Sequence, residues 1–150
     1  MKTLRLVSLL KCLHAIATTM QSKMVLLRSN GRSRLDPLRL KFEGEDEVRI
    51  DLGAERLLAA ERGTEKIAVE VKSFLSESAL FDYHAALGQF LNYRLVLKAE
   101  EPDRTLYLAV PLSAYEEFFQ RPLAKASVQT YDVKLIVYDP TQEKIVRWNA

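Results

Sequence analysis

The sequence predicts an α/β (α+β) fold in which a mixed sheet with an antiparallel meander is flanked by helices. Three observations carry this. Short alternating runs separated by turn residues cluster between Asp36 and Phe74. A long helix-permissive stretch follows, from about Ser78 to Lys98. Beyond it come an apolar strand, a second helix and two further strands.

In chain order, Met1 to Leu27 is helix-permissive, with Leu6, Leu9, Leu10, Leu13, Ile16 and Ala17 at helical spacing, and Ser29-Asn-Gly31 breaks it. Basic and acid-free, this start also has the composition of an organelle transit sequence or a membrane-surface helix, readings ranked behind a packed helix or a poorly ordered leader. Asp36-Pro37 opens the next section. Leu38 to Phe42 alternates like a strand, Glu43-Gly-Glu-Asp-Glu47 is a turn, and Val48 to Leu52 is another strand. Leu57 to Glu61, the turn Arg62-Gly63-Thr64 and Lys66 to Phe74 read as a hairpin. Ser78 is the candidate N-cap of the long helix, which ends before Pro102. Arg104 to Pro111 is an apolar strand, Ser113 to Ser127 a helix kinked or broken near Pro122, and Val133 to Tyr138 a strand. Asp139-Pro140-Thr-Gln turns the chain into a last strand, Glu143 to Trp148.

At 150 residues and 48% hydrophobic, the chain holds enough material for one cored domain. Its single cysteine, Cys12, cannot close an internal disulfide, and with only His14 and His84 besides there is no zinc-type cluster. Any metal is expected to be hard and oxygen-ligated. The longest uncharged stretch near the N-terminus, Cys12 to Ser22, is too short to span a bilayer, so a soluble, cytoplasmic protein is expected, with no membrane partner.

Charge is uneven. Residues 1–35 hold seven basic groups and no acid, leaving 15 basic against 20 acidic groups beyond them, a net of −5. The expected division is therefore a basic N-terminal segment, 1–35, and an acidic domain, 36–150. An acidic domain argues against tight unaided DNA binding, which usually shows as a basic face.

The chemistry concentrates in Lys66-Ile-Ala-Val-Glu-Val-Lys-Ser73. Ile67, Val69 and Val71 alternate, so a strand here points Glu70 and Lys72 to the opposite face together. A carboxylate beside an ammonium suits phosphodiester hydrolysis: the carboxylate holds a divalent cation that activates water, and the lysine orients that water or balances developing charge. One helix later, Gln89 and Tyr93 lie four apart and share a face. Alone, Glu-x-Lys is more often an exposed ion pair, Tyr93 core and Gln89 a solvated neighbour. His84 lies on the same helix, where a structural histidine is the commoner case.

The pattern resembles the PD-(D/E)xK restriction-endonuclease-like superfamily. That superfamily orders its core as helix, antiparallel meander, helix, strand; its RecB-like branch carries Gln-x-x-x-Tyr on the helix after the Glu-x-Lys strand. The resemblance implies that Glu70 and Lys72 match the strand pair and Gln89 and Tyr93 the helix pair. An acid upstream is also implied. Asp51, 19 residues before Glu70, is the first choice, with Glu55 and Glu61 as alternatives.

From Asp36 to Trp148 the chain is similar to a narrower family, the fdxN element excision controlling factor XisH, known from cyanobacteria. The matching segments are Ile50-Asp-Leu-Gly-Ala-Glu55, Lys66 to Phe74, His84-Ala-Ala-Leu-Gly-Gln-Phe-Leu-Asn-Tyr-Arg94, Pro102 to Pro111 and Tyr138-Asp-Pro140. This implies a role in, or derived from, programmed DNA-element excision. Expected partners are DNA, an XisI-like companion protein and a recombinase. The implied endonuclease would bind Mg2+ or Mn2+ through Asp51, Glu70 and the main-chain carbonyl of Val71. Lys72 would assist the water, while Gln89 and Tyr93 would position the acids or the DNA backbone. The alternative is a non-catalytic control protein that keeps the nuclease fold. Family members begin with a helix bearing acidic and His residues, which residues 1–35 lack. A leader read out of frame, or from a divergent start, is the expectation, and the two other frames of the upstream DNA decide it.

Overall fold

The computed structural model describes the strand residues 36–37 and 56–62, and the chain from 65 to 149. Its described strands form one mixed sheet in sequence order: β1 (Asp36–Pro37), β2 (Arg56–Arg62), β3 (Glu65–Val71), β4 (Arg104–Pro111), β5 (Leu135–Asp139) and β6 (Lys144–Trp148). β1, β2 and β3 pair antiparallel, β3, β4 and β5 parallel, and β6 returns antiparallel on β5. Between β3 and β4 runs α1 (Ala79–Glu100); between β4 and β5 run α2 (Leu112–Glu117) and α3 (Pro122–Thr130). Parallel neighbours need such crossovers because the end of one strand and the start of the next lie at opposite ends of the sheet.

The predicted hairpin is present, with Leu57 opposite Glu70 and Glu61 opposite Lys66. β3 stops at Val71 rather than Phe74. Phe74 sits at φ 50, in the left-handed region, and the chain there leaves the sheet for α1. Ser78 caps α1 as expected, its Oγ accepting from the Phe81 amide at 3.2 Å. Asp82 in the first turn accepts from the Ser76 amide at 3.0 Å, so the connection is tied to the start of the helix at two points. The helix predicted around Pro122 is two helices, because proline takes the first position of a new one. Leu38 to Phe42, Val48 to Leu52 and the helix expected before Ser29 lie outside the described residues, as does the boundary at residue 35.

Both faces of the central strands are buried. On one, Ala68, Leu106, Leu108, Val110, Leu135 and Val137 pack against Ala86, Phe90, Tyr93 and Leu97 of α1, with Phe118 and Phe119 closing the end. On the other, Ile67, Val69, Val71, Tyr107, Ala109, Ile136 and Tyr138 form a second cluster, flanked by Ile145 and Trp148. A parallel strand buried on two sides reads as a continuous apolar run, as Leu106 to Val110 does. Among the described residues, Glu70 and Lys72 are the charged side chains buried in this interior, 2% and 3% exposed.

Candidate functional site

β3 builds the site by its period of two. Ile67, Val69 and Val71 enter the second cluster, so Glu70 and Lys72 project from the other face, towards α1. There the Lys72 ammonium donates to Oε1 of Gln89 and stands 3.4 Å from Oε1 of Glu70. Gln89 is brought to Lys72 by α1 crossing that face. Tyr93, one turn further, is 6% exposed and belongs to the core beneath the helix.

The Lys72 backbone is held as firmly as its side chain. Its amide donates to the Ala109 carbonyl at 2.9 Å, and its carbonyl accepts from the Tyr138 hydroxyl at 3.2 Å. In a parallel ladder a residue that donates to position 109 would accept from the amide of position 111. Position 111 is proline and has no N–H, so the tyrosine stands in the missing place. Sequence reasoning missed Tyr138; a proline ending an otherwise unbroken apolar strand was the available signal.

Glu70, Lys72 and Gln89 are thus together, with Tyr93 adjacent along the helix. The side chain of Val71 points away, into the second cluster, so only its main chain borders the site. Asp51 and Glu55 lie outside the described residues. The register sets Glu61 opposite Lys66, four residues along the hairpin from Glu70, or about 13 Å at the usual strand rise. His84 is exposed, its ring 5.9 Å from that of Tyr83, and five helical residues put it about 140° around α1 from Gln89. It takes no part in the cluster.

A carboxylate and a carbonyl on adjacent residues are hard oxygen donors, and a magnesium site uses one or two carboxylates beside retained waters. The donor chemistry of Glu70 and Val71 fits such an ion. Among the described residues no group of three His, Cys, Asp or Glu side chains adds to it. The charge pair also has a simpler consequence: each ion supplies the counter-charge that makes burial of the other tolerable.

The family model for XisH protein matches residues 22–146. The chain belongs to the XisH family. That match starts ahead of Asp36, inside the basic segment. The crystal structure of a fdxN element excision controlling factor protein from Anabaena variabilis is 48% identical, over 79% of this chain and 87% of that one, with a TM-score of 0.68. The crystal structure of an XisH family protein from Nostoc punctiforme is 41% identical, over 89% of this chain and 98% of that one, with a TM-score of 0.69. No curated protein matches. Among the described residues of this XisH-family chain, no helix is long and apolar enough to cross a membrane.

Proposed function

We propose that the chain is a metal-dependent endonuclease of PD-(D/E)xK type, acting in programmed DNA-element excision. The observation that carries this is the joining of buried Glu70 and Lys72 with half-buried Gln89, from a strand and the following helix, into one cluster. Glu70, the Val71 carbonyl and Asp51 would hold Mg2+ or Mn2+. When bound, the ion supplies Lewis-acid polarisation of the phosphate and a more acidic water. Lys72 contributes a positive charge aimed at the same spot as the Glu70 carboxylate. Gln89 fixes the ammonium by accepting a hydrogen bond from it, and Tyr93 anchors that turn of α1 in the core. The sequence similarity to a fdxN element excision controlling factor protein supports the biological setting, with DNA, an XisI-like companion and a recombinase as partners.

Burial favours a second reading. Glu70 and Lys72, at 2% and 3% exposure, are closed to a substrate as they stand. A control protein that keeps the fold and binds a companion would retain such a pair as an internal ionic contact. Manganese separates the readings. The nuclease reading expects Mn2+ to broaden the NMR signals of Val71 and Lys72 in the wild type but not in Glu70→Gln, and expects Mn2+ to support nicking of supercoiled DNA. No broadening and no nicking, with an XisI-like companion retained in a pull-down, would establish the second reading instead.

A further inference from the structure

We propose that Tyr138 is a positioning residue for Lys72, installed because Pro111 deprives the sheet of a ladder hydrogen bond at the site. This deepens the nuclease reading and rests on it for its activity arm. The two residues are 66 positions apart and on strands separated by β4, yet the Tyr138 hydroxyl reaches the Lys72 carbonyl at 3.2 Å. Tyr138 is wholly buried in the second cluster, while the Lys72 side chain leaves the opposite face of the sheet. The hydroxyl therefore acts on the backbone from behind and does not face the Glu70 carboxylate.

The need for it follows from the register. Val71 pairs with Ala109, and the Lys72 amide continues that ladder to the Ala109 carbonyl at 2.9 Å. The next bond requires an amide at position 111, which faces β3 because the neighbouring even position 108 directs its amide to Lys134 on the β5 side. Proline at 111 also begins the turn into α2, at φ −69. A register shift between Val137 and Tyr138 lies beside the tyrosine, and bulges re-aim side chains in this way. Without the hydroxyl, the Lys72 carbonyl would lose the donor that stands in for the position-111 amide, loosening the backbone that aims the ammonium at Glu70 and Gln89.

Three variants test this: Tyr138→Phe, Pro111→Ala, and the two combined. In Tyr138→Phe the nicking rate should fall about tenfold, in kcat rather than KM, the scale seen when outer supporting bonds of metal sites are removed. The 15Nζ resonance of Lys72 should shift with it. In the double variant the alanine amide replaces the lost donor, so the rate should return to within about twofold of Pro111→Ala alone and the Lys72 resonance to its position in that variant. A merely structural tyrosine would lower the melting temperature without moving kcat separately, and an added amide would not repair the resonance. The proposal is overturned if Tyr138→Phe leaves rate and resonance unchanged, or if Pro111→Ala restores neither. Should wild-type protein not nick, a Lys72 resonance that shifts and is restored still upholds the positioning role, while the nuclease reading falls.

Discussion

Lys72 donates its ammonium to Oε1 of Gln89, a side chain 17 residues further along, and so joins strand β3 to helix α1 through a partly buried hydrogen bond. A hydrogen bond from a charged donor is worth about 1.5–3 kcal/mol when its acceptor is lost. Gln89→Leu should lower unfolding stability by about that amount, whereas Gln89→Glu, which keeps an acceptor, should lose less. Urea titration of the two variants reads the difference; equal losses would mean that Gln89 stabilises by packing alone.

Glu70 and Lys72 are expected to be strongly coupled. Replacing one member of a buried ion pair leaves the other uncompensated, so Lys72→Met should cost about 3–5 kcal/mol. Glu70→Leu with Lys72→Met should recover most of that loss, since an apolar pair needs no counter-charge. Additive losses in chemical denaturation would show that the pair is not coupled.

Phe74 holds φ 50 while its ring packs edge-on against Phe119, with centroids 5.5 Å apart. Phe74→Ala and Phe74→Gly both lose that contact, but only glycine relieves the left-handed backbone. Phe74→Gly should therefore be the more stable of the two by about 1 kcal/mol, the reverse of the usual order. Thermal melts compare them, and an alanine variant at least as stable as glycine would refute the strain.

Lys66 and Asp103 pair on the surface at 2.9 Å. Their hydrogen bond raises the lysine above its ordinary value and lowers the aspartate below its own. The Asp103 contribution is present above the ordinary carboxylate pKa and fades as pH falls through its lowered folded value. The Lys66 contribution is present below the ordinary lysine pKa and fades as pH rises through its raised folded value. Wild type should thus exceed Asp103→Asn by a small, salt-sensitive margin across neutral pH, vanishing in strong acid. A margin that persists in strong acid or high salt would mean that the asparagine acts otherwise.

Much of this was legible in the residues. Alternation at Ile67, Val69 and Val71 gave the phase of Glu70 and Lys72, and spacing on a capped helix gave Gln89 and Tyr93 a common side. Strand ends were less legible, because Phe74 is a good strand residue by type and only tertiary packing holds it in the left-handed region. The upstream acid could not be chosen from spacing. Hairpin pairing rather than sequence distance decides which residue lies beside Glu70, and the register places Leu57 there. Tyr138 was hidden because its contact spans 66 residues and depends on a donor that Pro111 lacks.

The most direct test of the account is Mg2+- or Mn2+-dependent nicking of supercoiled DNA by the wild type, with Lys72→Met and Glu70→Leu/Lys72→Met as controls, each verified as folded by circular dichroism. The expected result is metal-dependent nicking that chelation stops and that neither folded control retains. Wild-type nicking that survives in the folded controls, or no nicking by wild type with either metal, would contradict a nuclease built on Glu70 and Lys72.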